Sequence, residues 1–397
     1  MRRALIPRLI GLIASAMVLC SQGALAETCA WPAWDAFKQG MLSADGRVID
    51  ASSPQQVTVS EGQSYALFFA LVANDRATFD KVLDWTQDNL AQGDLTTHLP
   101  AWEWGRRPAT GVANSSTSAT PPDRQAWGVL DSASASDSDV WIAYTLLEAG
   151  RLWRERRYVA LGTVMMRNIA ARETASLPGL GRTLLPGPVG FKPSEGVWRL
   201  NPSYVPLQVM RRLAGSEGAA ASWQALLHSS IRLVTETAPQ GYSPDWVEYR
   251  ADGGFRPDAA SNAEGAYNAI RVYLWAGMLS TDDPARATLL PVFRPLADFV
   301  AAHGYPPERV DTRTGTVGPN EGNLGFSAAV APYLAALGRN DLATAQVQRA
   351  HALAQQAPPG YYSSVLALFG LGYLDQQYRF DANGFVIPAW TTTCPAH

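Results

Sequence analysis

Charge is scarce in this chain, and so is cysteine. Only 17% of its 397 residues are charged, and the formal net charge is −3. A sparse, slightly negative charge argues against a broad nucleic-acid-binding surface and suits a neutral ligand. The three cysteines and five histidines show none of the paired spacings of a zinc site. A convincing series of alternating strands is missing too, which argues against a doubly wound sheet or a (β/α) barrel. No stretch after the first 26 residues is long and apolar enough for a membrane span, which takes about 20 residues. No nucleophile elbow accompanies Ser243, Asp137 and His98, so a protease triad has little support.

The first 26 residues read as an address. Arg2, Arg3 and Arg8 make a positive start, Leu9 to Cys20 is mostly apolar, and Ala24-Leu25-Ala26 fits a cleavage site. Export to the periplasm or medium is expected, and loss of three arginines would carry the net charge from −3 to −6. Residues 27–397 then form one expected domain. Cys29 and Cys394 remain; in an oxidising compartment they are expected to tie the termini together, with two free thiols as the alternative.

Aromatic residues are what the chain has in plenty: 13 Trp, 14 Tyr and 12 Phe. The indole N–H needs a partner when buried, so part of this load is expected to line a groove. Apolar residues at three- and four-residue spacing predict helices over 61–74, 76–91, 138–153, 157–172, 219–237, 264–279, 285–303 and 323–337. Weaker signals cover 203–214, 341–356 and 361–372. An all-α domain follows, and the regular pairing of long helices favours a toroid over an irregular bundle. Residues 108–126 carry little apolar material and read as a polar surface loop.

Three segments offer chemistry. In Ser60-Glu61-Gly62-Gln63-Ser64-Tyr65, Ser60 is expected to cap a helix, with Glu61 in its first turn and Tyr65 and Phe68 on the same side. Burial would raise the Glu61 pKa, whereas the helix dipole would lower it. Plain capping and acid catalysis both stay open on the residues alone. In Ser136-Asp137-Ser138-Asp139-Val140-Trp141 the two aspartates are placed to start a helix or to hold polyol hydroxyls. In 264–275, Glu264, Asn268 and Arg271 are spaced to share one helix face, where a Glu264–Arg271 salt link is the plainest reading. Trp102, Trp127, Tyr204 and Trp246 stand beside polar groups and are candidate sugar platforms.

At these residues the chain resembles bacterial endo-β-1,4-glucanases of glycoside hydrolase family 8, in particular the periplasmic type associated with cellulose synthesis. The likeness runs in order through Thr28–Trp34, Thr58–Tyr65, Ser134–Trp141, Phe191, Asn201–Tyr204, Ser243–Val247, Ala269–Tyr273 and Gly325–Ala329. It implies an (α/α)6 toroid, a groove for a β-1,4-glucan chain, inverting hydrolysis, no cofactor or metal, and association with the cellulose synthase machinery. It assigns Glu61 as general acid and Asp137 to the cleavage subsite; Tyr65, Asp139 and Arg271 join the four aromatic residues as candidate substrate contacts. One position departs from the pattern. Asn268 stands where close relatives carry the aspartate that activates water, and an amide is no effective base. Glu264 and Asp137 are the carboxylates expected to replace it; weak activity or glucan binding without cleavage is the alternative.

Overall fold

The computed structural model describes residues 30–107, 126–216 and 220–392. The leader, both cysteines and nearly all of the polar loop therefore lie outside the described residues.

Among the described residues, six helices are buried over half or more of their length. They are α2 (Ser60–Val72), α4 (Ser136–Leu152), α6 (Leu207–Ala214), α8 (Ala269–Gly277), α11 (Leu324–Ala336) and α13 (Tyr361–Leu374). In α2, α11 and α13 the circumference is apolar almost all round, which suits a helix with neighbours on every side. Each of the six packs against the next in that order, and α13 returns to α2, closing a ring. Outside the ring run helices with one buried face: α1 (Pro32–Met41), α3 (Arg76–Leu90), α5 (Arg156–Arg172), α7 (Ala220–Glu236), α9 (Arg286–Val292), α10 (Arg294–His303) and α12 (Asn340–Gln356). The result is an (α/α)6 barrel, as the helix pairing and the resemblance predict.

Glycine lets the inner wall close. A side chain at Gly370 would strike the carbonyl of Ala328, and one at Gly277 would strike the backbone at Tyr333. These contacts bring α13 and α8 against α11.

Aromatic rings fill the axis of the barrel. Phe369 meets Tyr65, Trp141 and Trp275 at centroid distances of 5.0, 5.4 and 5.1 Å, and Phe68 stacks beside it at 5.5 Å. Much of the tryptophan load thus belongs to the core. Edge and offset contacts of this kind add about 0.5–1.5 kcal/mol each beyond simple burial.

Helix boundaries differ from expectation in three places, each for a local reason. The segment 285–303 is two helices, parted at Phe293 just before Pro295, whose missing N–H suits a helix start. Pro206 confines the helical signal of 203–214 to a short 3₁₀ turn, Pro202–Tyr204, followed by α6. The segment 264–279 begins as a strand, and its helix starts only at Ala269.

Short antiparallel sheets, absent from the sequence reading, join the helices at their ends. One contains β1 (Thr58–Val59), β2 (Ala101–Arg106) and β3 (Trp127–Ser134) in that order. Strands β4 (Thr174–Leu177) and β5 (Gly181–Leu184) make a hairpin. A third sheet pairs β6 (Val197–Leu200), β7 (Val247–Arg250) and β8 (Gly254–Pro257). A fourth holds β9 (Glu264–Gly265) against β10 (Val310–Asp311) and β11 (Thr316–Val317). Apart from β2 and β3, these strands have two to four residues, too few to show a period of two.

Candidate active site

Two strands of the first sheet aim the two acids. β1 runs directly into α2, whose second residue is Glu61, while β3 turns at Ala135 into α4, whose second residue is Asp137. Ser60 does not cap α2 with its side chain, contrary to expectation. Val59 holds the cap position, and the Ser60 hydroxyl bonds to that of Ser138 at 3.0 Å. That contact ties the start of the Glu61 helix to the Asp137 corner.

The centre of the site is the Arg271 guanidinium, buried on α8. Its Nη1 donates to Glu61, to the Tyr65 hydroxyl at 3.0 Å and to Asp137 Oδ2 at 3.2 Å. Its Nη2 donates to Ser203 Oγ at 3.1 Å and to Asn268 Oδ1 at 2.7 Å. Asn201 also donates to Asn268 Oδ1, at 3.1 Å. With two donors facing that oxygen, the Asn268 amide is fixed with its NH₂ turned the other way. Asn268, Glu61, Tyr267, Arg271, Asn323, Tyr362 and Ser363 line an open cavity of about 320 Å³.

The turn carrying Asn268 is itself held by a carboxylate. Asp245 Oδ1 accepts from the backbone N–H groups of Ala266, Asn268 and Ala269 at 2.8, 3.0 and 2.7 Å. This is anion capping of a helix start supplied from a distant segment. The α8 helix then delivers Arg271 one turn on, while Trp275 donates to the Ser203 carbonyl at 3.0 Å.

Charge in the site is balanced so that Glu61 keeps a proton more readily than an exposed glutamate. Burial pushes its pKa up, Arg271 pulls it down, and the Asp137 carboxylate pushes it up again; the net direction is upward. Asp137 is also raised, by burial against the opposing Arg271 charge and a bond from the Ser138 N–H. The Glu61 side chain is 16% exposed and opens onto the cavity, whereas Asp137 is only 4% exposed and is absent from its lining.

Two base candidates fare differently from expectation. Glu264 lies on β9, off the α8 face, and its carboxylate takes a bond from Arg309 Nη1 at 2.6 Å. The anticipated Glu264–Arg271 link is therefore replaced by Glu264–Arg309 at the rim and by Arg271 pairing with both Glu61 and Asp137. Asp137 and Glu61 share one nitrogen, so their bonded oxygens lie within about 6 Å, closer than the roughly 6.5–9.5 Å of an inverting pair. Asn268 takes its bond from the other prong of the fork and lines the same cavity as Glu61.

The remaining candidates divide between groove and interior. Tyr204 lies under the Arg271 charge, Trp246 follows at 6.1 Å, and Phe191 stacks on Trp246 at 5.8 Å with planes 10° apart. Trp127 stacks on Trp104 at 5.4 Å, with the Arg47 guanidinium over both rings, and Trp102 is 45% exposed. Tyr65 and Asp139 are corrections. Tyr65 is sealed in the core and reaches Arg271 rather than the groove, and Asp139 has no exposed surface. Sequence reasoning gave no role to Asn323, Tyr361, Tyr362 or Glu173. Of these, Tyr361 donates to Glu61 at 3.4 Å and Tyr362 donates to the Tyr267 carbonyl. The Tyr-Tyr pair after Pro358-Pro359-Gly360 marks a helix start, a signal that reveals position but not role.

The model of the glycosyl hydrolases family 8 matches residues 10–376. An endoglucanase of Xanthomonas axonopodis pv. citri is 46% identical over 388 residues, covering 96% of each chain. An endoglucanase of Escherichia coli O157:H7 is 45% identical over 380 residues, covering 95% of this chain and 96% of the relative. The crystal structure of an endo-1,4-D-glucanase from Vibrio fischeri ES114 superposes with a TM-score of 0.83 at 45% identity, covering 91% of this chain and all of that one. With matches of this length to an (α/α)6 barrel whose Arg271 joins two acids beside an open cavity, the chain belongs to glycosyl hydrolase family 8 and is a glycoside hydrolase.

Proposed function

We propose that the protein cleaves β-1,4-glucan chains internally, with inversion, and that it does so outside the cytoplasm beside a cellulose-producing system. The observation that carries this reading is Glu61, a carboxyl with a raised pKa opening onto the cavity while a second acid, Asp137, stands behind it. The relatives' endoglucanase names support the substrate, and the leader-like residues 1–26 support the location.

In this mechanism the protonated Glu61 gives its proton to the departing glycosidic oxygen. A water molecule attacks the anomeric carbon from the opposite face, with no covalent sugar–protein intermediate. Asp137 contributes through its charge, which keeps the Glu61 proton in place before reaction. The rows Tyr204–Trp246–Phe191 and Trp104–Trp127 stack on sugar rings to either side, so binding far from the scissile bond helps distort the unit being cleaved. Asn268 holds the attacking water through its NH₂ group and does not take its proton, which leaves by way of solvent. Turnover is correspondingly slow.

A second reading, glucan binding with little or no cleavage within a cellulose export assembly, is favoured by the same amide. The two are separated by incubating purified protein with a dye-labelled soluble cellulose. Chain shortening by wild type that disappears in Glu61→Gln supports the hydrolase. Tight binding without product across a broad pH range, joined to cleavage by Asn268→Asp, selects the binding reading.

A further inference from the structure

Behind Asp137 lies a second acidic cluster that the hydrolytic reading leaves unused. Asp139, on the first turn of α4, and Glu173, at the C-terminal cap of α5, each have no exposed surface. Among the described residues neither carboxylate forms an ion pair with a lysine or arginine. Glu173 Oε1 accepts from Ser134 Oγ at 2.6 Å, but Glu173 Oε2 and both Asp139 oxygens meet no N–H or hydroxyl donor. The two carboxyl groups instead face one another at hydrogen-bonding range.

Two unpaired negative charges in a closed interior carry a large desolvation cost. A proton between them removes one charge and supplies the donor that the orphaned oxygens lack. The groups bearing on the pair are Asp137 from α4, Arg172 from the end of α5 and the neutral donor Ser134 from β3. Burial pushes Glu173 up to about 7 and Asp139 well above the usual carboxylate range. Their titration belongs to the pair rather than to either residue.

The location gives this pair a task. Ser134 precedes Asp137 by one short corner, and that corner is tied by Ser136 N to the Pro186 carbonyl at 3.0 Å and by Ser138 to Ser60 at 3.0 Å. Glu173 anchors the same stretch through its side chain, while its carbonyl accepts from Leu185 at 2.8 Å. The geometry points to Asp139 and Glu173 as a buried carboxyl pair that shares a proton and thereby fixes the corner presenting Asp137 and, through Ser138–Ser60, the start of the Glu61 helix. Both are positioning residues for the hydrolysis proposed above, and that part of the inference rests on the hydrolase reading. The shared proton does not.

The first test is therefore independent of turnover. The infrared difference spectrum between wild type and Asp139→Asn at pH 7.5 is expected to contain the carbonyl band of a protonated buried carboxyl; its absence overturns the pair. The second reads position. Asp139→Ala is expected to lower kcat at least tenfold with KM within twofold, and Asp139→Asn, which still donates a hydrogen bond to Glu173, to recover most of that loss. Equal kcat in wild type and Asp139→Ala, or a loss confined to KM, overturns the positioning role. Should Asp139→Ala fail to fold, Glu173→Gln supplies the remaining check. A carboxyl whose folded pKa is raised favours folding most at low pH and loses that contribution as pH rises from 4.5 through about 7. Glu173→Gln is expected to flatten that fall in melting temperature; an unchanged slope contradicts the shared proton.

Discussion

The Glu61 carboxylate and the Asn268 amide oxygen are bound by opposite nitrogens of one buried guanidinium, that of Arg271. A single side chain thus links the Glu61 carboxyl to the Asn268 amide. Because both bonds share a rigid planar group, movement of one is transmitted to the other. The distance between Glu61 and Asn268 is consequently a property of the fold.

Replacing Asn268 by aspartate should convert a holder of water into a base. An aspartate here would keep its bonds from Arg271 and Asn201 through one oxygen and turn the other to the cavity. General base catalysis contributes about 10²–10⁴-fold, so Asn268→Asp is expected to raise kcat by at least about 10²-fold. Reducing-end release from soluble cellulose measures this, and a rate equal to or below wild type would show that another group already removes the proton.

Glu61→Gln should remove activity while leaving the fold intact. The expected loss in kcat is about 10²–10⁴-fold, with glucan binding by calorimetry nearly unchanged. The pH profile of wild type carries the same information. Glu61 acts when protonated, and burial places its pKa above the usual glutamate value of 4.5, so kcat/KM should hold through that value and fall only at higher pH. The sign for stability is parallel: the contribution of Glu61 to folding is largest at low pH and is lost as pH climbs above 4.5. A rate already falling below pH 4.5 contradicts the assignment.

Arg271→Met should be the most damaging change in the site. It leaves Glu61, Asp137 and the Asn268 carbonyl without their common donor, and breaking a buried ion pair from one side costs about 3–5 kcal/mol. Arg271→Lys cannot span both prongs and is expected to lose activity nearly as completely. Urea unfolding midpoints, read beside kcat, measure both effects.

Glu264→Gln should change little. Its partner Arg309 is half exposed, and such rim pairs contribute about 0–1 kcal/mol. Turnover within twofold of wild type is expected. A drop of tenfold or more would return Glu264 to the list of bases.

Much of this architecture is legible in the chain. The inner and outer helices announce themselves by apolar spacing, and their bounds fall within a few residues of expectation except where proline or the short strand at Glu264–Gly265 intervenes. The site is legible only in parts. Glu61, Asp137, Asn268 and Arg271 stand out as residues, yet nothing local says that Arg271 reaches back more than two hundred positions to Glu61 instead of about two helical turns to Glu264. Ser60 looks like a helix cap because its true partner, Ser138, is distant in sequence. Glu173 follows a helix rich in arginine and reads as surface charge; its burial arises only when β3 and α4 fold over it. Long-range polar pairing leaves no periodic trace, which is why the hydrogen-bond network had to come from the structure.

The most direct measurement follows the anomeric configuration of freshly released ends by proton NMR during the first minutes of β-1,4-glucan cleavage. Attack by water from the Asn268 side, opposite the bond that Glu61 protonates, predicts α-configured product first, with β appearing only by later mutarotation. Initial release of the β-anomer would mean a covalent intermediate and would contradict the arrangement of acid, water and amide around Arg271.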